Sequence, residues 1–92
     1  MESGYNGWKN RQTWNVSLWI NNDEGLYRSA VEFMKTYKGQ KPYGSFIRHI
    51  GLENDRTPDN IGYFSTRLDY KALNEMMMEL VDNNKTDKSN IL

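Results

Sequence analysis

The sequence predicts an all-α protein, a compact bundle of about four helices in a single small domain (1–92), with one long irregular loop at residues 51–67. Three observations point that way. Apolar residues recur at three- and four-residue spacing through residues 26–37 and 73–80, the period of a helix that buries one face. Asn10, Asp23 and Asp69 stand just before the helical runs, where the first N–H groups of a helix need a side-chain acceptor. Gly39, Pro42 and Gly51 punctuate the chain where helices should stop or start.

The first element is the least plain. Trp14, Val16, Leu18 and Ile20 alternate with Asn15, Ser17, Trp19 and Asn21, as on a strand; on a helical wheel they form two stripes, Trp14/Leu18 and Val16/Trp19/Ile20. The helix is preferred, because Asn10 offers a cap and no hairpin turn separates this run from the next one. Asp23 caps the second helix, which runs to about Lys38 with Leu26, Ala30, Phe33, Met34 and Tyr37 on one face and Gly39 as its terminator. Pro42 and Gly51 bracket a shorter helix whose Phe46, Ile47 and Ile50 face inward. Gly51, Pro58 and Gly62 keep residues 51–67 irregular, with a short extended segment near 61–64. Asp69 caps a last helix to about Val81, burying Leu73, Met76, Met77 and Leu80 and leaving Met78 off that face. Residues 1–7 and 83–92 are almost wholly polar and are expected to be mobile.

Composition narrows the function. A chain of 92 residues has room for one core, burying a little more than about 60% of its unfolded surface. It has no Cys, which removes disulfides, thiolate metal sites and a Cys nucleophile. No secretory leader or membrane-length apolar run is present, so a cytoplasmic location in a host cell is expected, with no membrane partner. Twelve basic and twelve acidic side chains cancel, unlike a protein that grips many phosphates without specificity. The basic excess of the first half and the acidic excess of the second are read as complementarity within the fold.

Catalytic groups are sparse. The only His, His49, falls near a helix C-terminus, where an imidazole more often serves the terminal carbonyls. There is no Gly-x-Ser-x-Gly elbow and no phosphate-binding Gly-x-x-x-x-Gly-Lys loop. Glu53, Asp55 and Asp59 lack the spacing of a calcium loop, so neither a metal nor another cofactor is expected, and the chain reads as non-enzymatic. Lys35, Lys38, Lys41 and Arg48, interleaved with aromatics, are the contact set if the protein binds nucleic acid. The rival reading assigns the tryptophans, Trp14 above all, to the core. The density of Asn at positions 10, 15, 21 and 22 exceeds what helix interiors favour and suggests a polar network or a ligand-facing surface.

With its spacing written out, the N-terminal segment is Trp8-x-Asn10-Arg11-x-Thr13-Trp14-Asn15-Val16-x-Leu18-Trp19-Ile20-x-Asn22-Asp23-x-Gly25-x-Tyr27. It resembles the core motif of an uncharacterised family of short proteins found mainly in bacteriophages and mobile elements, similar to segments near anti-restriction genes. Thr57-Pro58-Asp59 and Leu68-Asp69-Tyr70-x-Ala72-Leu73 resemble that family's closing loop and last helix. The resemblance implies a genomic setting and no particular chemistry. The expectation is a small phage-type accessory protein that binds a host protein, for host take-over or against a defence system. Its anchors would be Trp8, Arg11, Trp19, Tyr27 and Tyr43, since aromatic and Arg side chains dominate binding energy at interfaces of about 800 Å² per partner. The alternatives are a nucleic-acid-binding module and a homo-oligomer that sequesters a small nucleotide-like ligand between subunits.

Overall fold

A computed structural model describes residues 6–91, with side chains through Leu80. Four helices follow one another, α1 (Arg11–Asn22), α2 (Glu24–Thr36), α3 (Pro42–His49) and α4 (Tyr70–Ile91). α4 packs against all three others, and α2 also meets α1 and α3. The fold is therefore all-α, as expected, and residues 13–22 are helix rather than strand.

The expected caps hold. The Asn10 side chain accepts the Thr13 N–H at 2.9 Å, and the Asp23 side chain accepts the Leu26 N–H at 3.0 Å. Asp23 also donates its own N–H to Trp19 O at 3.0 Å, so one residue ends α1 and begins α2. Asp69 accepts the Ala72 N–H at 3.2 Å. Gly51, with φ of 78°, closes α3: its N–H reaches Arg48 O, and Leu52 N–H reaches back to Ile47 O at 3.0 Å. α2 ends at Thr36, slightly before the expected Lys38. The Tyr37 ring then folds over Gly39, where a Cβ would run into it, and the Tyr37 hydroxyl accepts the Lys41 N–H at 3.3 Å.

Helix α4 continues to Ile91 instead of ending near Val81. No Gly or Pro occurs after Gly62, so nothing in the covalent chain stops it. The expectation of mobile ends thus meets helical backbone at residues 83–91, while residues 1–5 and 92 lie outside the described ones.

Val16, Ile20, Ala30, Met34, Tyr43, Phe46, Ile47, Leu73, Met76, Met77 and Leu80 form one hydrophobic cluster drawn from all four helices. Each of the larger ones contributes about 1.5–3 kcal/mol by leaving water. Tyr63 and Leu68 join it from the long loop, so that connection is part of the core as well as a link.

The inward face of α1 departs from expectation. Thr13, Asn15 and Ser17 are buried beside Val16 and Ile20, whereas Trp14, Leu18 and Trp19 are half-buried. Trp14 is thus not the core residue it was expected to be. Buried polar groups are stable only when hydrogen-bonded, and these are. Ser17 donates to Trp14 O at 2.7 Å. The Thr13 hydroxyl donates to Asn10 Oδ1 at 2.7 Å and accepts the Asp69 N–H at 2.9 Å, joining the caps of α1 and α4. Among the described residues no buried side-chain N or O lacks a partner.

Candidate functional site

The long loop contains a tight hairpin. Asn60 N–H donates to Thr57 O at 2.7 Å, and Thr57 N–H donates to Ile61 O at 2.8 Å. Pro58 sets the turn by its fixed φ, and Asn60 takes a left-handed φ of 72°, which Asn tolerates better than most residues. Arg56 and Gly62 pair as an antiparallel bridge, and Tyr63 N–H reaches Asp55 O at 3.1 Å. Of the short extended segment expected near 61–64, only residues 61 and 62 run along this bridge; residues 63 and 64 belong to the next turn, in which Ser65 N–H donates to Gly62 O at 3.2 Å.

Two side chains of α1 hold the turn. Asn15 donates through Nδ2 to Asp59 Oδ2 at 2.7 Å and accepts the Thr57 hydroxyl through Oδ1 at 2.7 Å. Trp19 donates from Nε1 to the same Asp59 oxygen at 3.0 Å. The Thr57 hydroxyl also accepts the N–H groups of Asp59 and Ile61, both at 3.2 Å. The hydrogen bond from Asn15 holds the Asp59 carboxyl below its ordinary value, helped by Trp19 and, at longer range, by the Arg11 charge, against a smaller opposing effect of desolvation. Pro58, Asp59, Asn60 and Arg11 are exposed, so a fixed turn stands on the surface beside a cation. An open polar cleft of about 510 Å³ runs along it, lined by Gln12, Arg56, Asn60 and Arg67.

A second cleft, of about 620 Å³, opens between α3, the loop at Phe64 and the start of α4. Tyr37, Phe64 and Tyr70 supply aromatic walls, and Lys41 and Arg48 supply positive charge. The Arg48 guanidinium lies 5.3 Å from the centre of the Phe64 ring. Among the described residues, neither Lys41 nor Arg48 has a carboxylate within ion-pair distance.

The residues expected as partner anchors scatter. Trp8 is half-buried and packs on the core; Arg11 is exposed and Trp19 half-buried at the clamped turn; Tyr27 is exposed on α2. Tyr43 is not a surface residue at all. It is 0% exposed, its hydroxyl donates to Tyr63 O at 2.6 Å, and its N–H donates to Asn74 Oδ1 at 2.9 Å. Burial, followed by the neighbouring Tyr70 and Tyr63, pushes its hydroxyl far above the ordinary tyrosine range. Position 43 lies one turn before Ile47 and three residues before Phe46, which is the core face of α3.

Of the four cations expected for nucleic acid, Lys41 and Arg48 share the second cleft. Lys35 pairs with Glu32 at 3.0 Å on the exposed side of α2, and Lys38 is exposed in the α2–α3 connection. His49 is exposed, its ring 5.3 Å from that of Phe33. No three His, Asp or Glu side chains gather as a metal site among the described residues. Sequence reasoning missed Asn15, Thr57 and Asp59 as one unit, although an Asn mid-helix with a Thr-Pro-Asp-Asn turn elsewhere was a usable signal. It also missed Gly44, Phe64 and Tyr70, which meet only in three dimensions.

The model of a family of unknown function (DUF7249) matches residues 1–86. No curated protein and no solved structure matches the chain.

Proposed function

The chain belongs to the DUF7249 family, and on that premise we propose that it is a non-catalytic accessory protein of the phage type that acts by binding a host protein in the cytoplasm. One observation carries the reading. The hydrogen bonds of Asn15 and Trp19 are spent on fixing an exposed turn, Thr57–Ile61, beside Arg11. The clamp anchors a loop that joins the core, and it also leaves the tip both ordered and exposed; a segment that docks gains affinity from being ordered beforehand. Arg11, the Trp19 edge and Pro58 then form the centre of the contact, with the cleft along Gln12 and Arg67 as its rim.

The test places a photo-crosslinking amino acid at position 67, on the exposed rim of the cleft beside the turn, in the full chain inside host cells. A discrete cross-linked host protein is expected, and the purified protein should then bind wild type and lose affinity for Arg11→Ala. A folded protein that gives no discrete cross-link, or a captured protein that binds Arg11→Ala as well as wild type, refutes this surface.

A further inference from the structure

Gly44 is the third residue of α3, in its first turn, where glycine costs backbone entropy and offers no side chain. Its backbone does not require it, for its φ is not among the positive values, unlike those of Gly7 and Gly51. Packing does not require it either. A Cβ built there would meet only ordinary contacts, 3.7 Å to Arg48 Nη1 and 3.9 Å to the Phe64 ring. What the missing side chain does is leave bare the wall between Arg48 and Phe64 in the cleft described above. Arg48 and Lys41 meet no carboxylate within ion-pair distance among the described residues, so the cleft is electropositive as well as aromatic. An adjoining cleft shares Lys41 and Tyr70 and adds Lys71 and Glu75.

We propose that this cleft binds a nucleotide, with the base packed on the aromatic wall at Phe64 and Tyr70 beside Gly44 and the phosphate held by Lys41 and Arg48. The pairing of a planar ring with an anion fits the pairing of aromatic wall with guanidinium and ammonium, and the volume lies within the roughly 300–1,000 Å³ of small-molecule sites. The same chemistry is offered by a free mononucleotide and by the terminal nucleotide of a single strand. The site uses residues other than those of the clamped turn, and it stands or falls independently of the protein-binding reading.

The full chain is titrated at low salt with the four 5′-ribonucleoside monophosphates, with a short single-stranded oligonucleotide, with inorganic phosphate and with an acidic tyrosine-containing peptide, following amide shifts by NMR. Saturable shifts at residues 41–48 with a mononucleotide or the strand are expected. Gly44→Leu, which fills the wall, and Arg48→Gln should each weaken binding about tenfold or more, while Lys35→Gln, paired elsewhere, leaves it unchanged. Equal affinity for mononucleotide and strand identifies the free nucleotide as the ligand; binding of the strand alone identifies a chain end. Phosphate binding as tightly as nucleotide, binding of the peptide alone, no saturation by any nucleotide probe, or equal binding by Arg48→Gln overturns the proposal. Thermal melts of each variant separate lost binding from lost folding.

Discussion

Asn15 of α1 and Asp59 of the long loop, 44 positions apart, are joined by a 2.7 Å hydrogen bond, and Asn15 bonds the Thr57 hydroxyl with its other amide atom at the same distance. One side chain thereby holds the first and the middle residue of a turn that the chain reaches only after two more helices. The donors on Asn15 and Trp19 converge on a single carboxylate oxygen, which is why the charged form of Asp59 is favoured.

Replacing Asn15 with Ala should release the turn and leave the buried Thr57 hydroxyl short of an acceptor, a cost of about 1–3 kcal/mol. That corresponds to a fall in Tm of roughly 4–8 °C for each kcal/mol in a domain of this size. Trp19→Phe removes one donor and should lower Tm by less. Scanning calorimetry of the two variants orders them, and a Tm for Asn15→Ala equal to wild type would show that the clamp has no part in stability.

The pH dependence follows from the direction of the Asp59 shift. Its folded value lies below the ordinary 3.8, so the clamp's contribution is present above that value and is lost as pH falls through it towards the lower folded value. Urea midpoints measured from neutral to strongly acid pH should fall over that window for wild type and change less for Asp59→Asn. Parallel profiles for the two proteins would contradict the shift.

Tyr43 titrates on the other side. Its folded value is raised above the ordinary 10.0, so the protein is stabilised by the protonated phenol below that pH and loses the contribution as pH rises beyond it, when the unfolded chain ionises first. Tyr43→Phe should unfold at a less steep alkaline slope. At neutral pH it should be less stable by about 1–3 kcal/mol, because the Tyr63 carbonyl loses the donor it has at 2.6 Å. Denaturant titrations at neutral and alkaline pH check both parts.

Gly44→Ala should raise stability by about 0.5–1 kcal/mol, since the added methyl meets no close contact and the unfolded chain loses freedom. A higher Tm is the expected result. A lower one would mean that the bare wall serves packing.

Much of the fold was legible from local chemistry. Asn10, Asp23 and Asp69 announce helix starts because a short polar side chain can satisfy N–H groups within its own turn. Gly51 announces a stop because the positive φ it adopts is open to glycine. The spacing of Leu73, Met76, Met77 and Leu80 placed one face of α4 in the core for the same reason, that helical periodicity is local. Which face of α1 turns inward was not legible. Trp14 and Leu18 are the more apolar choice, yet Thr13, Asn15 and Ser17 are buried, because partners from residues 57–69 satisfy Thr13 and Asn15 there.

The sequence by itself therefore determined the helices, their caps and the absence of cysteine chemistry, all properties of neighbouring residues. Tertiary structure alone decided that Tyr43 is core rather than contact, that Asn15 and Asp59 hold a turn between them, and that Arg48, Phe64 and Gly44 share a cleft. Those are relations between distant residues, and the free energy of a hydrogen bond or a buried ring depends on a partner that the local sequence does not name.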